Sequence, residues 1–334
     1  MKKLFLIVLS ALLLVSCASK SEYEKHSFFT MDTFAEVRLY SEAEDKTAVF
    51  KSAQRVAEDI ENLISKTIEK SPICKINATD NGSIGLNATL DELISISMEM
   101  AEITDGYFEP MSGGLVELWE RCDSEQRLPT DAEISAQISS IHNTELKKNE
   151  SQVLHKNGAA KFDFGAIGKG YAADKMVQSL KEEGIKTGMV TFVSTVAVFG
   201  DRDFKIAIRT PDTSGQTAGY ITMKNEALSV SGDYERFYTI NDINYNHIID
   251  PHSGYPTSNG IHSVAVVCES AAKADALSTA IFAMGVEKAA ELYDSGTVKF
   301  EAVIITDDGV IITPNIKDNF ELASNYKITD ITEY

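Results

Sequence analysis

The sequence predicts an α+β fold built from packed layers. Helix-period and strand-period segments are both present, but they do not alternate strictly. Strand-like segments dominate from 187 to 268, and capped helices stand on either side of that run. With 334 residues, the chain is long enough for one large domain or two small ones, each with a real core.

The first residues stand apart. Met1-Lys2-Lys3 is basic, and Leu4 to Val15 is an apolar stretch too short to span a bilayer comfortably. Leu14-Val15-Ser16-Cys17 then resembles a bacterial lipobox, in which Cys17 is acylated and becomes the mature N-terminus. This reading divides the chain into a lipoprotein signal peptide (1–16), an acylated Cys17 with a polar tether (17–27) and a folded domain (28–334). The expected location is a bacterial membrane surface facing the periplasm or the cell exterior, attached without crossing. A simple cleaved signal peptide is the alternative.

Phe28 to Tyr40 reads as one strand, with Phe34, Val37 and Leu39 among its β-formers. Ser41-x-x-Glu44 is a capping box, and Val49, Val56, Ile60, Leu63 and Ile64 follow at helical spacing. Residues 65–87 read as loop, with Pro72 and Asn81-Gly82. Asn87 caps a helix from about Leu90 to Ile103, which Thr104-Asp105-Gly106 ends. Tyr107 to Gly114 is a loop leading to Trp119, and Thr130-x-x-Glu133 caps a shorter helix. Val153 to Phe162 reads as a hairpin turning at Asn157-Gly158.

Asp163 to Asp174 is glycine-rich and joins a strand-like run to a helix that ends at Gly184. Gly165, Gly168 and Gly170 permit close backbone approach, and a helix N-terminus suits a phosphate. Lys169 adds a cation and Asp163 a carboxylate. No Gly-Lys-Ser/Thr closes the stretch, so it is not a Walker loop. An ordinary strand–turn–helix junction is the competing reading.

Strands are expected at 187–199, 203–209, 218–223, 227–231, 235–240 and 261–268. Ser270 caps a helix from Ala271 to Met284, and a final hairpin turns at Asp307-Asp308-Gly309. On that helix Asp275 and Thr279 share a face one turn apart, an oxygen pair suited to Mg²⁺. The alternative is a surface aspartate favoured by the helix dipole. His247 sits among apolar residues, as a half-buried histidine or as a general base or phosphate contact. Asp250-Pro251 and Ser253-Gly254 are turn residues. Ser231 and Asp233 either line a pocket or simply turn a hairpin.

The formal net charge is −19, which argues against nucleic acid as a partner. A phosphate-rich ligand would need local cations or backbone N–H groups. Cys74, Cys122 and Cys268 are far apart and lack metal spacing, so neither a disulfide framework nor a zinc site is expected.

Several segments in fixed order resemble the ApbE-type flavin transferases, the FAD:protein FMN transferases. They are Met31-Asp32-Thr33, Thr104 to Trp119, Asp163 to Asp174, Ser231 to Arg236, His247 to Gly254, and Ala274-Asp275-Ala276-Leu277-x-Thr279. The resemblance implies an ApbE-type fold with a T-fold-like core. It implies an FAD cleft lined by Met31, Tyr107, Phe108, Glu109, Asp163 and Lys169, with Ser231, His247 and Ile249 in the adjoining motifs. It also implies Mg²⁺ held by the Ala166 carbonyl, Asp275 and Thr279. The implied reaction moves FMN from FAD to a Ser/Thr hydroxyl of a partner redox flavoprotein and releases AMP. His247 would take the proton, with Asp275 as the other catalytic group.

Two departures stand out. Thr67 occupies a position where an aromatic often contacts the flavin nucleotide. A common Asn-x-Gly-Gly-Asp/Asn motif is replaced around Thr191 to Thr195. Both favour a looser hold and leave room for Mg²⁺-dependent hydrolysis of FAD to FMN and AMP. A non-catalytic flavin-binding lipoprotein is the remaining alternative.

Overall fold

The structure is a computed structural model that describes residues 22–40, 45–212, 214–234, 236–323 and 326–334. The leader, Cys17 and the Ser41-x-x-Glu44 box lie outside the described residues.

Two strands replace the single one expected first. β1 (Glu24–Thr30) and β2 (Thr33–Leu39) pair as a hairpin. Met31 and Asp32 turn it with φ of 51° and 54°. Both lie in the left-handed region, as a tight two-residue turn requires, yet neither is the Gly or Asn that would have announced it. α1 (Lys46–Ile64) is capped by Asp45, whose Oδ1 accepts from the Ala48 N–H at 3.0 Å. It buries Val49, Phe50, Ala53, Ala57 and Ile60.

The expected loop at 65–87 contains α2 (Pro72–Asn77) and β3 (Asn81–Gly85), both too short to show a period. α3 (Ala88–Ile103) has the expected Asn87 cap. The loop before Trp119 ends in α4 (Gly113–Ser124), which starts on two glycines with no side-chain cap. α5 (Asp131–His142) carries the expected Thr130–Glu133 capping box. β4 (Glu145–Lys148) and β5 (Val153–Asn157) then pair with each other, and β3 takes the other side of β5. Asn157-Gly158 therefore ends a strand and turns no hairpin.

α6 (Gly168–Glu182) leads to β6 (Gly188–Phe192), β7 (Thr195–Phe199), β8 (Phe204–Arg209), β9 (Thr217–Met223), β10 (Ala227–Gly232), β11 (Phe237–Ile240), β12 (Ile243–Asn246) and β13 (Ile261–Cys268). α7 (Ala271–Met284), α8 (Val286–Ser295), β14 (Glu301–Thr306), β15 (Gly309–Ile312), β16 (Phe320–Leu322) and β17 (Ile328–Asp330) complete the chain.

The main sheet runs β1-β2-β6-β7-β10-β13-β14-β15-β17. All its pairs are antiparallel except β15 with β17. Its strands alternate sides, so each face carries its own core. On β13, Val264 and Val266 join the larger core with α6 and α7, while Ala265 and Val267 join a second core. That second core lies against the small sheet β16-β9-β8. A third cluster packs Leu118, Trp119, Cys122 and Ile134 of α4 and α5 against Tyr238 and Ile240 of β11.

The layered α+β expectation therefore holds. Cys74, Cys122 and Cys268 are free thiols. Among the described residues, no helix is long and apolar enough to cross a membrane.

Candidate active site

The α6–α7 crossing brings the two ends of the site together. A Cβ on Gly170 would lie 2.1 Å from the Ala271 carbonyl oxygen and 2.8 Å from the Asp275 Cβ, so only glycine allows this approach. The Gly170 N–H donates to Asp275 Oδ2 at 3.0 Å. Gly170 lies in the first turn of α6, where an N–H has no partner within the helix and is free to reach Asp275. Here the Ala166 carbonyl has no hydrogen-bond donor among the described residues.

Asp275 is only 4% exposed, which removes the surface-aspartate alternative. Its Oδ1 accepts from the Ser229 hydroxyl at 2.8 Å, and Thr195 Oγ1 is 3.0 Å from Ser229 Oγ. Further along β10, Ser231 Oγ lies 2.8 Å from Ser278 Oγ and 3.2 Å from Thr279 Oγ1. Ser229 and Ser231 are two apart on a strand, so both face α7. Asp174 fixes the start of α7. Its carboxylate accepts from the Ala271 and Ala272 N–H groups and from the Ser270 hydroxyl. Burial raises the Asp174 pKa, and those three bonds oppose the rise.

Asp163 organises the other wall. Its Oδ1 accepts from the Gly165 N–H at 2.7 Å, and its Oδ2 pairs with Lys66 at 2.9 Å. The Asp163 N–H donates to the Pro110 carbonyl at 2.8 Å, and Gly113 N–H to Lys161 at 2.9 Å. These bonds dock the Tyr107–Gly114 loop on the glycine stretch. Within that loop Glu109 is partly buried and accepts from the Met111 N–H, and burial raises its pKa. The Tyr107 hydroxyl accepts from Lys288 at 2.7 Å, and its ring meets His252 edge-on.

His247 stands at the end of β12. Its Nδ1 is 2.9 Å from the Arg236 carbonyl oxygen. A carbonyl only accepts, so Nδ1 carries the proton and the neutral ring keeps Nε2 as a base. Burial lowers the His247 pKa to about 4, and the positive charges of Arg236 and Lys169 add to the lowering. Lys169 Nζ donates to the Gly165 carbonyl at 3.2 Å. The arrangement joins an unpartnered carbonyl, a buried carboxylate, neighbouring hydroxyls, a lysine and a neutral imidazole, a set suited to phosphoryl transfer.

A family model described as the ApbE family matches residues 31–304. The chain belongs to the ApbE family. It is 27% identical over 304 residues to the FAD:protein FMN transferase of Klebsiella pneumoniae (strain 342), covering 89% of this chain and 94% of that relative. The FAD:protein FMN transferase of Rhodobacter capsulatus is 31% identical over 247 residues, covering 72% of this chain and 47% of that relative. The crystal structure of the ApbE protein from Thermotoga maritima superposes with a TM-score of 0.82 at 28% identity, covering 89% and 99% of the two chains. A flavin transferase ApbE from Vibrio cholerae shares the fold, with a TM-score of 0.75 at 22% identity over 89% and 99%.

Within this ApbE fold several of these residues lie together. Asp275, Thr279 and Ser231 form one cluster, and Gly170 ties it to the stretch bearing Ala166 and Lys169. Met31 turns the first hairpin and packs against the main core. Next to it, Thr30 Oγ1 donates to Glu61 near the end of α1. Thr67 is exposed, with its hydroxyl 3.1 Å from Ser65 Oγ. Ile249 bridges to Pro256 and packs between two cores.

Phe108 departs from the expected lining. It is 2% exposed, and its N–H donates to Thr104 Oγ1. Its ring supports the loop from the core and presents no face to a cleft. Asp250 behaves as a turn residue, accepting from the His252 N–H.

Ser229, Ser278 and Lys66 were not anticipated as site residues. The alternation of Ser229 and Ser231 on one strand was the available signal for the first. Lys66 carried none, because its partner Asp163 lies 97 positions away.

Proposed function

We propose that the chain is a Mg²⁺-dependent FAD:protein FMN transferase. Its family membership and the names of its relatives support the reaction class. The observation that carries the reading is the bond from the Gly170 N–H, in the first turn of α6, to the buried Asp275 carboxylate, which ties that carboxylate to the glycine stretch bearing the unpartnered Ala166 carbonyl.

Ala166 O, Asp275 and Thr279 are all oxygen donors and fit a hard cation. Among the described residues, no three His, Cys, Asp or Glu side chains group as a metal site. With a single carboxylate the site depends on phosphate oxygens to complete a coordination shell, which is how Mg²⁺ commonly binds beside nucleotides. Bound there, Mg²⁺ supplies charge neutralisation at the pyrophosphate.

The residues of the chain do the rest. The Tyr107–Gly114 loop and Asp163 hold the flavin nucleotide. Lys169 and the start of α6 face its phosphates. His247 Nε2 accepts the proton of an incoming threonine or serine hydroxyl as that oxygen bonds to the FMN phosphorus. The bond from that phosphorus to the bridging oxygen breaks, and AMP leaves. In this reading the acceptor is a redox flavoprotein. Cys17, acylated and made the mature N-terminus by removal of 1–16, anchors the enzyme at a bacterial membrane, facing the periplasm or the cell exterior.

Water attacking in place of the hydroxyl gives FAD hydrolysis. Thr67 favours this second reading, because a small exposed side chain stands where an aromatic would grip the nucleotide. The test is mass spectrometry of a threonine-bearing acceptor after incubation with FAD and Mg²⁺. A gain of FMN mass with stoichiometric AMP supports transfer. AMP without labelled acceptor supports hydrolysis, and no AMP rejects both.

A further inference from the structure

His262 lies on β13, where its pairing with β14 shifts register between Ile261 and Ser263. Both of its ring nitrogens meet carboxylates. Nδ1 is 2.8 Å from Asp233 Oδ2, and Nε2 is 2.9 Å from Asp307 Oδ1. A carboxylate accepts only, so both bonds at full strength require the imidazolium. Backbone bonds reinforce the clamp. The Asp233 N–H donates to the His262 carbonyl at 3.3 Å, and the Asp307 N–H to the Gly260 carbonyl at 3.2 Å.

Asp233 occupies a sensitive place in the chain. It lies two residues after Ser231, which touches Thr279. It lies three residues before Arg236, whose carbonyl orients His247. The paired register of β10 with β13 ends at Gly232 and Ser263, so Asp233 is where the strand leaves the sheet. We infer that His262 is a positioning residue for His247. By gripping Asp233 it fixes the departure point of the chain that presents the Arg236 carbonyl. The inference rests on the reading of His247 as the base.

Among the described residues, the charged groups acting on His262 are Asp233 at the end of β10 and Asp307 in the β14–β15 turn. Burial disfavours the charged ring, but the two carboxylates outweigh it and raise the pKa above the ordinary value. The clamp is therefore fully charged below the ordinary histidine pKa and is lost as pH rises through the raised one. Asp307 is mostly exposed and remote from the site, so it tunes the clamp without touching the chemistry.

The experiment follows both imidazoles by NMR titration in the full chain, for wild type, His262→Gln and Asp307→Asn, alongside AMP release from FAD and Mg²⁺ across pH. In His262→Gln, the His247 pKa is expected to move up toward the ordinary value. The alkaline fall in kcat should vanish, and the plateau should drop roughly tenfold. In Asp307→Asn, the His262 pKa and the alkaline fall should move down together, by roughly one pH unit. An unchanged His247 titration in His262→Gln overturns the inference. So does an activity limb that stays put in Asp307→Asn while the His262 pKa moves. Absence of AMP release in the wild type rejects the functional reading instead, since the NMR readout needs no turnover.

Discussion

The Nδ1 of His247 lies 2.9 Å from the carbonyl oxygen of Arg236, which leaves Nε2 as the basic nitrogen. With a pKa lowered to about 4 by burial, the ring is neutral at ordinary pH. The acid limb of kcat is therefore expected near pH 4 rather than near the usual histidine value. His247→Gln should lower kcat by roughly 10²–10³-fold with little change in FAD binding. A pH–rate profile and a flavin fluorescence titration check both.

The same shift fixes a stability trend. The native ring binds a proton less readily than the unfolded one, so protonation favours unfolding. His247 therefore costs stability as pH falls from the ordinary histidine pKa to about 4, and no more below that. Thermal melts of wild type and His247→Gln should diverge in that window and run parallel above it.

Asp275 accepts from Ser229 and Gly170, and asparagine can keep one acceptor on Gly170 while meeting Ser229 as donor. Asp275→Asn should fold, at a cost of about 1–2 kcal/mol. It should lose at least about 100-fold in AMP release, and Mg²⁺ should no longer raise its melting temperature with FAD present. Retained Mg²⁺-dependent stabilisation would refute the assignment of this carboxylate to the metal.

Gly170→Ala forces a methyl against the Ala271 carbonyl, and neither helix can yield without moving its own ladder. A loss of about 3 kcal/mol is expected, read as a lowered urea midpoint. Gly85→Ala meets nothing within 4 Å and should stay within about 0.5 kcal/mol of wild type.

Thr67→Tyr offers a flat surface at an exposed position beside the Lys66–Asp163 pair. One added stacking contact is worth about 1 kcal/mol, so the Kd for FAD should fall roughly fivefold. If hydrolysis comes from loose product binding, AMP release without acceptor should slow as well.

Much of this was readable from residue order. The Asn87, Thr130 and Ser270 caps, the glycine stretch and the Asp275–Thr279 spacing are all local patterns, and local patterns survive in a linear sequence. What stayed hidden was pairing. Met31-Asp32 turns a hairpin with no glycine or asparagine to supply its two left-handed positions. β5 takes β3 and β4 as partners, and no local signal names a partner. Phe108 shares the Tyr107–Glu109 motif but turns its ring into the core, since adjacent loop side chains need not point the same way. The Lys66–Asp163 ion pair arises only once α1 packs beside the glycine stretch.

The bond between Gly170 and Asp275 spans 105 positions. Closing a loop of that length carries an entropy cost that local hairpins avoid, so such contacts form late. Everything from the first hairpin to β13 can be synthesised while the carboxylate that receives the Gly170 N–H does not yet exist. A growing chain therefore cannot join the glycine stretch to Asp275 until α7 has been made and has docked on α6.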